Sequence, residues 1–249
     1  NENIEFFKNT NQLNLDNSFI FNSIPDKVNY KDKLWQHFKG VEIKTSKNVF
    51  DEKIFNLMDF DCDQRNNVHF FYTLPFAKNK ALIETTWVSK MDDKSLKDYD
   101  AQLEKYIDET LKIKNYEIVY QEEGAIPLFY PSSQIEKNRI NIGSAGGMTR
   151  LSTGYTFLNI QDHCKYISKN IEKIQSSKLY HIGKKYEFLD NIFLKVLRNH
   201  PDIMPKIFLN MFKAPSKTVI KFLSNKSNFF EDLRIILKMP KWIFIKNIF

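Results

Sequence analysis

Val68-His-Phe-Phe-Tyr-Thr-Leu-Pro-Phe-Ala-Lys-Asn-Lys-Ala-Leu-Ile-Glu-Thr-Thr-Trp-Val-Ser89 is the stretch whose reading decides the fold. In an extended chain, Val68, Phe70, Tyr72 and Leu74 share one face, and His69, Phe71 and Thr73 take the other. Pro75 predicts the end of that strand, and Phe76–Lys80 turns the chain into a second strand, Ala81–Ser89, giving a hairpin. Upstream, Val41–Ile43 alternates in the same way, and Phe19–Phe21 reads as one short strand ending near Pro25. Downstream, Ser95 followed by Asp98 predicts a capped helix start. Leu96, Tyr99, Leu103, Ile107 and Leu111 then recur at spacings of three and four, an apolar stripe that should lie on the sheet. Ile118–Tyr120 returns as a strand into Glu122–Leu128. Arg139–Ile142 is another strand, followed by a glycine loop and a helix to about Asn170. The remainder is helical, interrupted at Pro201, Pro205, Pro215 and Pro240. The fold class is mixed α/β of the α+β kind: an antiparallel-rich sheet with helices at the C-terminus.

The chain has 249 residues, of which 42% are hydrophobic and 27% charged, enough for one large domain or two small ones. Only 7 glycines and 14% aromatic residues exclude collagen-like repeats and low-complexity disorder. The apolar runs fall short of the ~20 residues that cross a bilayer, so neither a spanning helix nor a signal peptide is expected. Cys62 and Cys164 form no Cys-x-x-Cys pair and no disulfide framework, which makes a reducing, cytoplasmic compartment the default. The first residue is Asn1 rather than a methionine, so part of the natural protein is expected to lie upstream.

The net charge of +7 is unevenly placed: residues 201–249 hold nine Lys/Arg against three acids, leaving only +1 for the first 200 residues. These bases alternate with Phe, Ile and Trp side chains, as in an interfacial helix resting on an anionic membrane surface; a packed helical subdomain with a solvated lysine face has the same pattern. Lysine outnumbers arginine 32 to 5, a poor composition for bidentate reading of bases, and no nucleic-acid partner is expected.

Two stretches carry candidate chemistry. Four of the seven glycines lie in Gly143-Ser-Ala-Gly-Gly-Met-Thr-Arg-Leu-Ser-Thr-Gly154, between a strand and a helix for which Ser152 or Thr153 is available as N-cap. A bare backbone loop above a helix N-terminus suits a phosphate or a flavin carbonyl, although a tight chain reversal is the plainer use. The spacing is neither Gly-x-Gly-x-x-Gly nor Gly-x-x-x-x-Gly-Lys-Ser/Thr. In Ala81–Ser89, period two places Leu82, Glu84, Thr86 and Val88 on one face and Ile83, Thr85 and Trp87 on the other. Exposed, Glu84 is an edge-strand gatekeeper, the commoner fate of such a residue. Enclosed, its pKa rises from ~4.3 and it becomes an acid able to protonate an unactivated alkene. Glu122-Glu123 reads as a solvated loop, and the five histidines show no ligand spacing, so no metal is expected.

At these residues the chain resembles the flavin-dependent lycopene cyclase family. Leu34-Trp-Gln-His-Phe-Lys-Gly-Val-Glu42 is similar to its Gln-x-Phe-x-Gly segment. Phe71-Tyr-Thr-Leu-Pro75 with Ala81-Leu-Ile-Glu-Thr-Thr86 resembles its Tyr-x-Leu-Pro and Leu/Ile-Glu-Glu/Asp-Thr motifs. Glu123-Gly-Ala-Ile-Pro127 and Ile142-Gly-Ser-Ala-Gly-Gly-Met-Thr-Arg-Leu-Ser-Thr-Gly-Tyr155 resemble two further signatures, and Met204–Phe212 through Ser224 its C-terminal helices. The resemblance implies reduced FAD as cofactor, NADPH as electron donor, lycopene as substrate and a cytoplasmic enzyme peripheral to the membrane. It assigns Glu84 as the essential acid and Gly143, Ala145, Gly146, Gly147, Met148 and Thr149 as flavin-contacting; Trp87, Phe70 and Thr86 are candidates for the substrate pocket, plain core being the commoner use of either aromatic residue. It further implies a division into residues 1–25 (end of an FAD-binding domain), 26–138 (sheet-rich catalytic domain), 139–170 (return to the FAD-binding domain) and 171–249 (basic helical region). Two departures accompany it: the second acid of the strand motif is Thr85 here, and the N-terminal Gly-x-Gly-x-x-Gly unit is absent, so the chain reads as the C-terminal two-thirds of a longer enzyme. The activity implied is acid-initiated closure of β rings. An ε-cyclase, a related flavin hydroxylase and an inactive membrane-peripheral fragment are the alternatives.

Overall fold

The computed structural model describes residues 18–25, 32–131, 138–174 and 182–248. A five-stranded antiparallel sheet forms the centre. Its strands are β2 (Trp35–Lys44), β3 (Asn56–Asp59), β4 (Val68–Ala77), β5 (Lys80–Ser89) and β6 (Glu117–Pro127), in the order β3-β4-β5-β2-β6. Two short strands outside it, β1 (Ile20–Asn22) and β7 (Arg139–Asn141), pair in parallel. The expected hairpin is β4–β5, but Pro75 does not end the first strand. The ladder slips between Pro75 and Ala77 instead, a bulge that accommodates a residue with no N–H to donate, and the turn is reduced to Lys78-Asn79.

The helix after β5 is α1 (Tyr99–Lys105), continued by a π turn over Tyr106–Thr110. Ser95 is not its cap: it lies in a preceding 3₁₀ turn whose cap is Asp93, the side chain of which accepts from the Ser95 N–H at 2.8 Å. The predicted stripe is real: Leu103 and Ile107 are buried against Val41, Ile43, Phe71 and Ile83 on one face of the sheet, and Tyr99, also buried, against His37.

The opposite face is covered by the C-terminal helices α3 (Lys184–Asn199), α4 (Met204–Phe212), α5 (Ser216–Leu223), α6 (Phe229–Ile236) and α7 (Lys241–Lys246). α2 (Phe157–Lys169) precedes them. Pro205 stands in the first turn of α4, and Pro215 and Pro240 cap α5 and α7, positions where a missing N–H costs nothing. Val68, Phe70 and Val88 of the sheet share one apolar core with Phe193, Val196, Met204, Ile207 and Phe208. Cys62 and Cys164 are both free thiols.

Candidate active site

Glu84 lies at the middle of β5, which has β4 on one side and β2 on the other. The gatekeeper reading required an edge strand, so it is set aside. Across the ladder Glu84 faces Tyr72 of β4 and Gly40 of β2, and Gly40 in turn faces Glu122 of β6. The half-open residues around the carboxyl are Phe38, Tyr72, Leu82 and Glu122. The Phe38 ring lies over Gly124, where an added Cβ would come within 2.8 Å of it. Glu84 thus sits in an aromatic and aliphatic frame whose floor is two bare glycines.

Burial pushes the Glu84 carboxyl from its ordinary value up to about 7. The hydroxyl of Thr86, which donates to Oε1 at 2.5 Å, works against this, and the Glu122 carboxylate adds to it. Tyr72 is raised well above the ordinary phenol range by burial and by the neighbouring charge of Glu84, with a hydrogen bond from the Gln36 side chain to its oxygen opposing. An acid that holds its proton near neutrality, beside a phenol that does not ionise, can protonate a weakly basic substrate.

The glycine segment approaches the same face. In its loop, the N–H groups of Gly146 and Met148 donate to the Gly143 carbonyl at 3.1 Å, and that of Gly147 donates to Ser144 at 3.1 Å. Gly146 packs so closely on its own entry strand that a Cβ would fall 2.6 Å from the Asn141 carbonyl oxygen. These N–H groups close the loop on itself instead of pointing at an anion, contrary to the expected cradle. The helix also begins later than expected: Leu151–Thr153 form a turn and α2 starts at Phe157, with Thr156 in the cap position in place of Ser152 or Thr153. Asn159 in its first turn donates to the Met148 carbonyl at 3.1 Å and fixes the loop. Gly143, Gly146 and Gly147 keep half-open backbone, whereas Ala145, Met148 and Thr149 are buried.

At the end of the segment, Gly154 has φ +69°, and a Cβ there would meet Gln36 Oε1 at 2.0 Å. Gln36 bridges from this glycine to Tyr72, the cross-strand neighbour of Glu84. The two candidate stretches, seventy residues apart in sequence, therefore meet through Gln36 and Tyr72, which the sequence reading held only as positions of family-like segments and gave no role at the site. The alternation that puts Tyr72 on Glu84's face was visible in β4. The Gln36 contact follows from tertiary packing and left no local signal.

The remaining candidates separate. Thr86 touches Glu84 directly. Phe70 shares the face but is buried, edge-on to Phe60 and Tyr72. Trp87 is on the other face, beneath α1: its ring stacks on His69 at 3.8 Å and its Nε1 donates to Gln102 Oε1 at 2.9 Å. The strand's own period excludes it from Glu84's surroundings, and its expected place near the substrate is withdrawn. Thr85 joins that same buried network, donating to Gln102 at 2.8 Å and bonding His69 Nε2 at 2.9 Å. Glu122 and Glu123 are strand residues rather than a loop, Glu122 half-buried and Glu123 exposed. Among the described residues no His/Cys/Asp/Glu group is arranged to hold a metal ion.

Arg150, which directly follows the glycine loop, was not anticipated at all. Fully buried, it grips Asp190 of α3 through Nε at 3.1 Å and Nη2 at 2.7 Å, and donates from Nη1 to the Phe222 carbonyl of α5 at 2.5 Å. The Leu151 N–H completes the Asp190 carboxylate at 3.0 Å. This clamp fixes the glycine segment to the helices.

Among solved structures, a geranylgeranyl bacteriochlorophyll reductase-like protein of Thermoplasma acidophilum is similar with a TM-score of 0.47 and 13% identity, over 87% of this chain and 54% of that one. Tryptophan 6-halogenase of Streptomyces toxytricini gives a TM-score of 0.36 and 12% identity, over 90% and 44%. The chain spans about half the length of each. A comparison with curated protein sequences gives no match. The model of one protein family, lycopene cyclase protein, matches residues 8–246, nearly the whole chain. With Glu84, its strand motif and the glycine segment all inside that match, the chain belongs to the lycopene cyclase family.

Proposed function

We propose that the protein is a lycopene β-cyclase with Glu84 as its proton donor. The observation that carries this reading is the Glu84 carboxyl itself, half-buried on a central strand and raised to about 7. Thr86 donates to Oε1, which leaves Oε2 as the oxygen that would carry the transferable proton. Donation to the terminal double bond of the polyene gives a tertiary cation; the neighbouring double bond closes a six-membered ring, and loss of a ring proton leaves the β end group. Phe38 and Tyr72 offer π faces to that cation, Thr86 orients the acid, and Phe70 backs the frame from the core.

The residues present fit a flavin in part. Gly143, Gly146 and Gly147 form a half-open strip of backbone without side chains, against which a planar ring can lie. Ala145, Met148 and Thr149 support that strip from beneath. Reduced FAD bound there, kept reduced by NADPH, supplies electrostatic stabilisation of positive charge. The β1–β7 pair and residues 139–170 would belong to the flavin-binding part, and residues 26–138 to the catalytic part.

A peripheral membrane position is included in the proposal. Phe229, Phe230 and Trp242 are 70%, 72% and 76% exposed, in a stretch that carries Lys217 and Lys221 of α5, Arg234 of α6 and Lys241 and Lys246 of α7. An apolar cavity of about 320 Å³ opens between α3, α6 and α7, bounded by Phe188, Ile236 and Ile245. Among the described residues no helix is long and apolar enough to cross a bilayer, so the surface would lie on the lipid.

The test is Glu84→Gln in the flavin-loaded enzyme with lycopene, analysed by product chromatography. Loss of all ring products is expected. Retained cyclisation removes Glu84 as the acid; ε rings or a hydroxylated product from the unaltered enzyme replace the β-cyclase reading by its alternatives. Sedimentation with anionic liposomes, with and without Phe229→Ser, Phe230→Ser and Trp242→Ser, tests the surface, and undiminished binding of the triple variant would reject it.

A further inference from the structure

The strand motif carries Thr85 where its family has a second acid, and Thr85 faces away from Glu84 into the network under α1. A second carboxylate nonetheless reaches the site from another strand. Glu84, Gly40 and Glu122 form one row across β5, β2 and β6. Gly40 has no side chain, and Glu122 fills the space it leaves: a Cβ on Gly40 would stand 3.1 Å from Glu122 Cγ and 3.2 Å from its Oε1. The Glu122 carboxylate is thus folded inward over β2, toward Glu84, rather than out from the sheet edge. We infer that Glu122, reaching over the bare Gly40, is the second carboxylate of the site and that its charge helps to keep the proton on Glu84.

The inference rests on the proposed proton-donor role and adds a positioning residue to it. Two carboxylates on one strand row, in a partly dehydrated frame, resist carrying two negative charges together. The other groups facing Glu84 do not supply this effect. On β4 the facing group is the Tyr72 phenol, and on β5 the Thr86 hydroxyl, which acts in the opposite direction. One row further along, Glu42 and Lys80 close on each other at 2.7 Å. Arg150, behind the glycine segment, is held by Asp190. During turnover the proton on Glu84 becomes a C–H bond of the substrate, and the ring cation later releases one proton as its double bond forms. Glu84, left charged beside the Glu122 carboxylate, is the acceptor placed to take that proton back. No electron is gained or lost, and the acid is restored for the next end group.

The experiment is a carbon-13 NMR titration of the whole protein labelled at glutamate carboxyls, with the Glu84 signal identified by its loss in Glu84→Gln. Glu122→Gln is expected to lower the Glu84 midpoint by about one pH unit. Gly40→Val, which retains the carboxylate but evicts it from over β2, should do the same, while Glu123→Gln, next door but exposed, should leave it in place. In the flavin-loaded enzyme the alkaline limb of the cyclisation profile should move to lower pH with Glu122→Gln and recover with Glu122→Asp, a displacement that a merely structural residue would not cause. An unchanged Glu84 midpoint in both Glu122→Gln and Gly40→Val overturns the pair. If one of these variants does not fold, the other decides. Because the titration needs neither substrate nor flavin, coupling without cyclisation would refute the functional reading alone, and cyclisation without coupling would refute the pair alone.

Discussion

Replacing Asp190 by Ala removes the carboxylate bound to Arg150 and leaves a fully buried guanidinium without its counter-charge. Three donors lose their acceptor: Nε, Nη2 and the Leu151 N–H, which reach Asp190 at 3.1, 2.7 and 3.0 Å. Breaking a buried pair by deleting one partner costs about 3–5 kcal/mol. That is a large share of the ~5–15 kcal/mol that holds a domain folded. For a chain of this size each kcal/mol moves the melting temperature by about 2–4 °C, so a fall of roughly 6–20 °C is expected. Urea unfolding followed by circular dichroism, with thermal melts in parallel, measures it. The double variant Arg150→Met with Asp190→Leu removes both charges and should recover most of the loss. An Asp190→Ala protein within 1 kcal/mol of the original, or a double variant no better than the single, would refute the clamp as a stabilising element.

Gly154→Ala should cost about 1–3 kcal/mol, because its φ of +69° disfavours a side chain and the new Cβ would strike Gln36; the same melts would show it. Thr86→Val removes the hydrogen bond that opposes the raised Glu84 pKa, so the Glu84 midpoint should rise above about 7 in the carboxyl titration, opposite in sign to the Glu122 variant. His37 and His69, buried under α1, are lowered by desolvation to about 4, so they stay neutral in the fold while the unfolded chain takes up protons below 6.5. Stability should therefore fall as pH drops from 6.5 toward 4. Glu84 contributes the reverse, stabilising at low pH and losing that contribution as pH rises from 4.5 to about 7. Urea midpoints across pH 4–8 in the His69→Phe and Glu84→Gln variants should separate the two slopes.

The hairpin, the stripe of α1 and the proline-started helices were legible because each is written in a local period or a missing N–H. Strand position was not: whether Glu84 lies at an edge or the centre depends on which strands pair, and β2 reaches β5 from forty residues upstream. The glycine count pointed to the right loop but not to its inward hydrogen bonds. Trp87 failed as a site residue through neglect of the same alternation that correctly turned Glu84 and Thr86 to one side. Arg150 and Gln36 carry no periodic mark; their importance arises only when distant elements enclose them.

The small parallel clasp of β1 and β7 has a consequence for assembly. Asn22 Nδ2 donates to Asn141 Oδ1 at 2.9 Å over a sequence separation of 119, and the described residues between them carry the antiparallel sheet and α1. The sheet is thus an insertion whose ends are brought together by a contact of high loop-closure entropy. It can nucleate from its own hairpin, whereas setting Arg139 beside Ile20 must close that long loop, so the clasp is expected to form after the sheet.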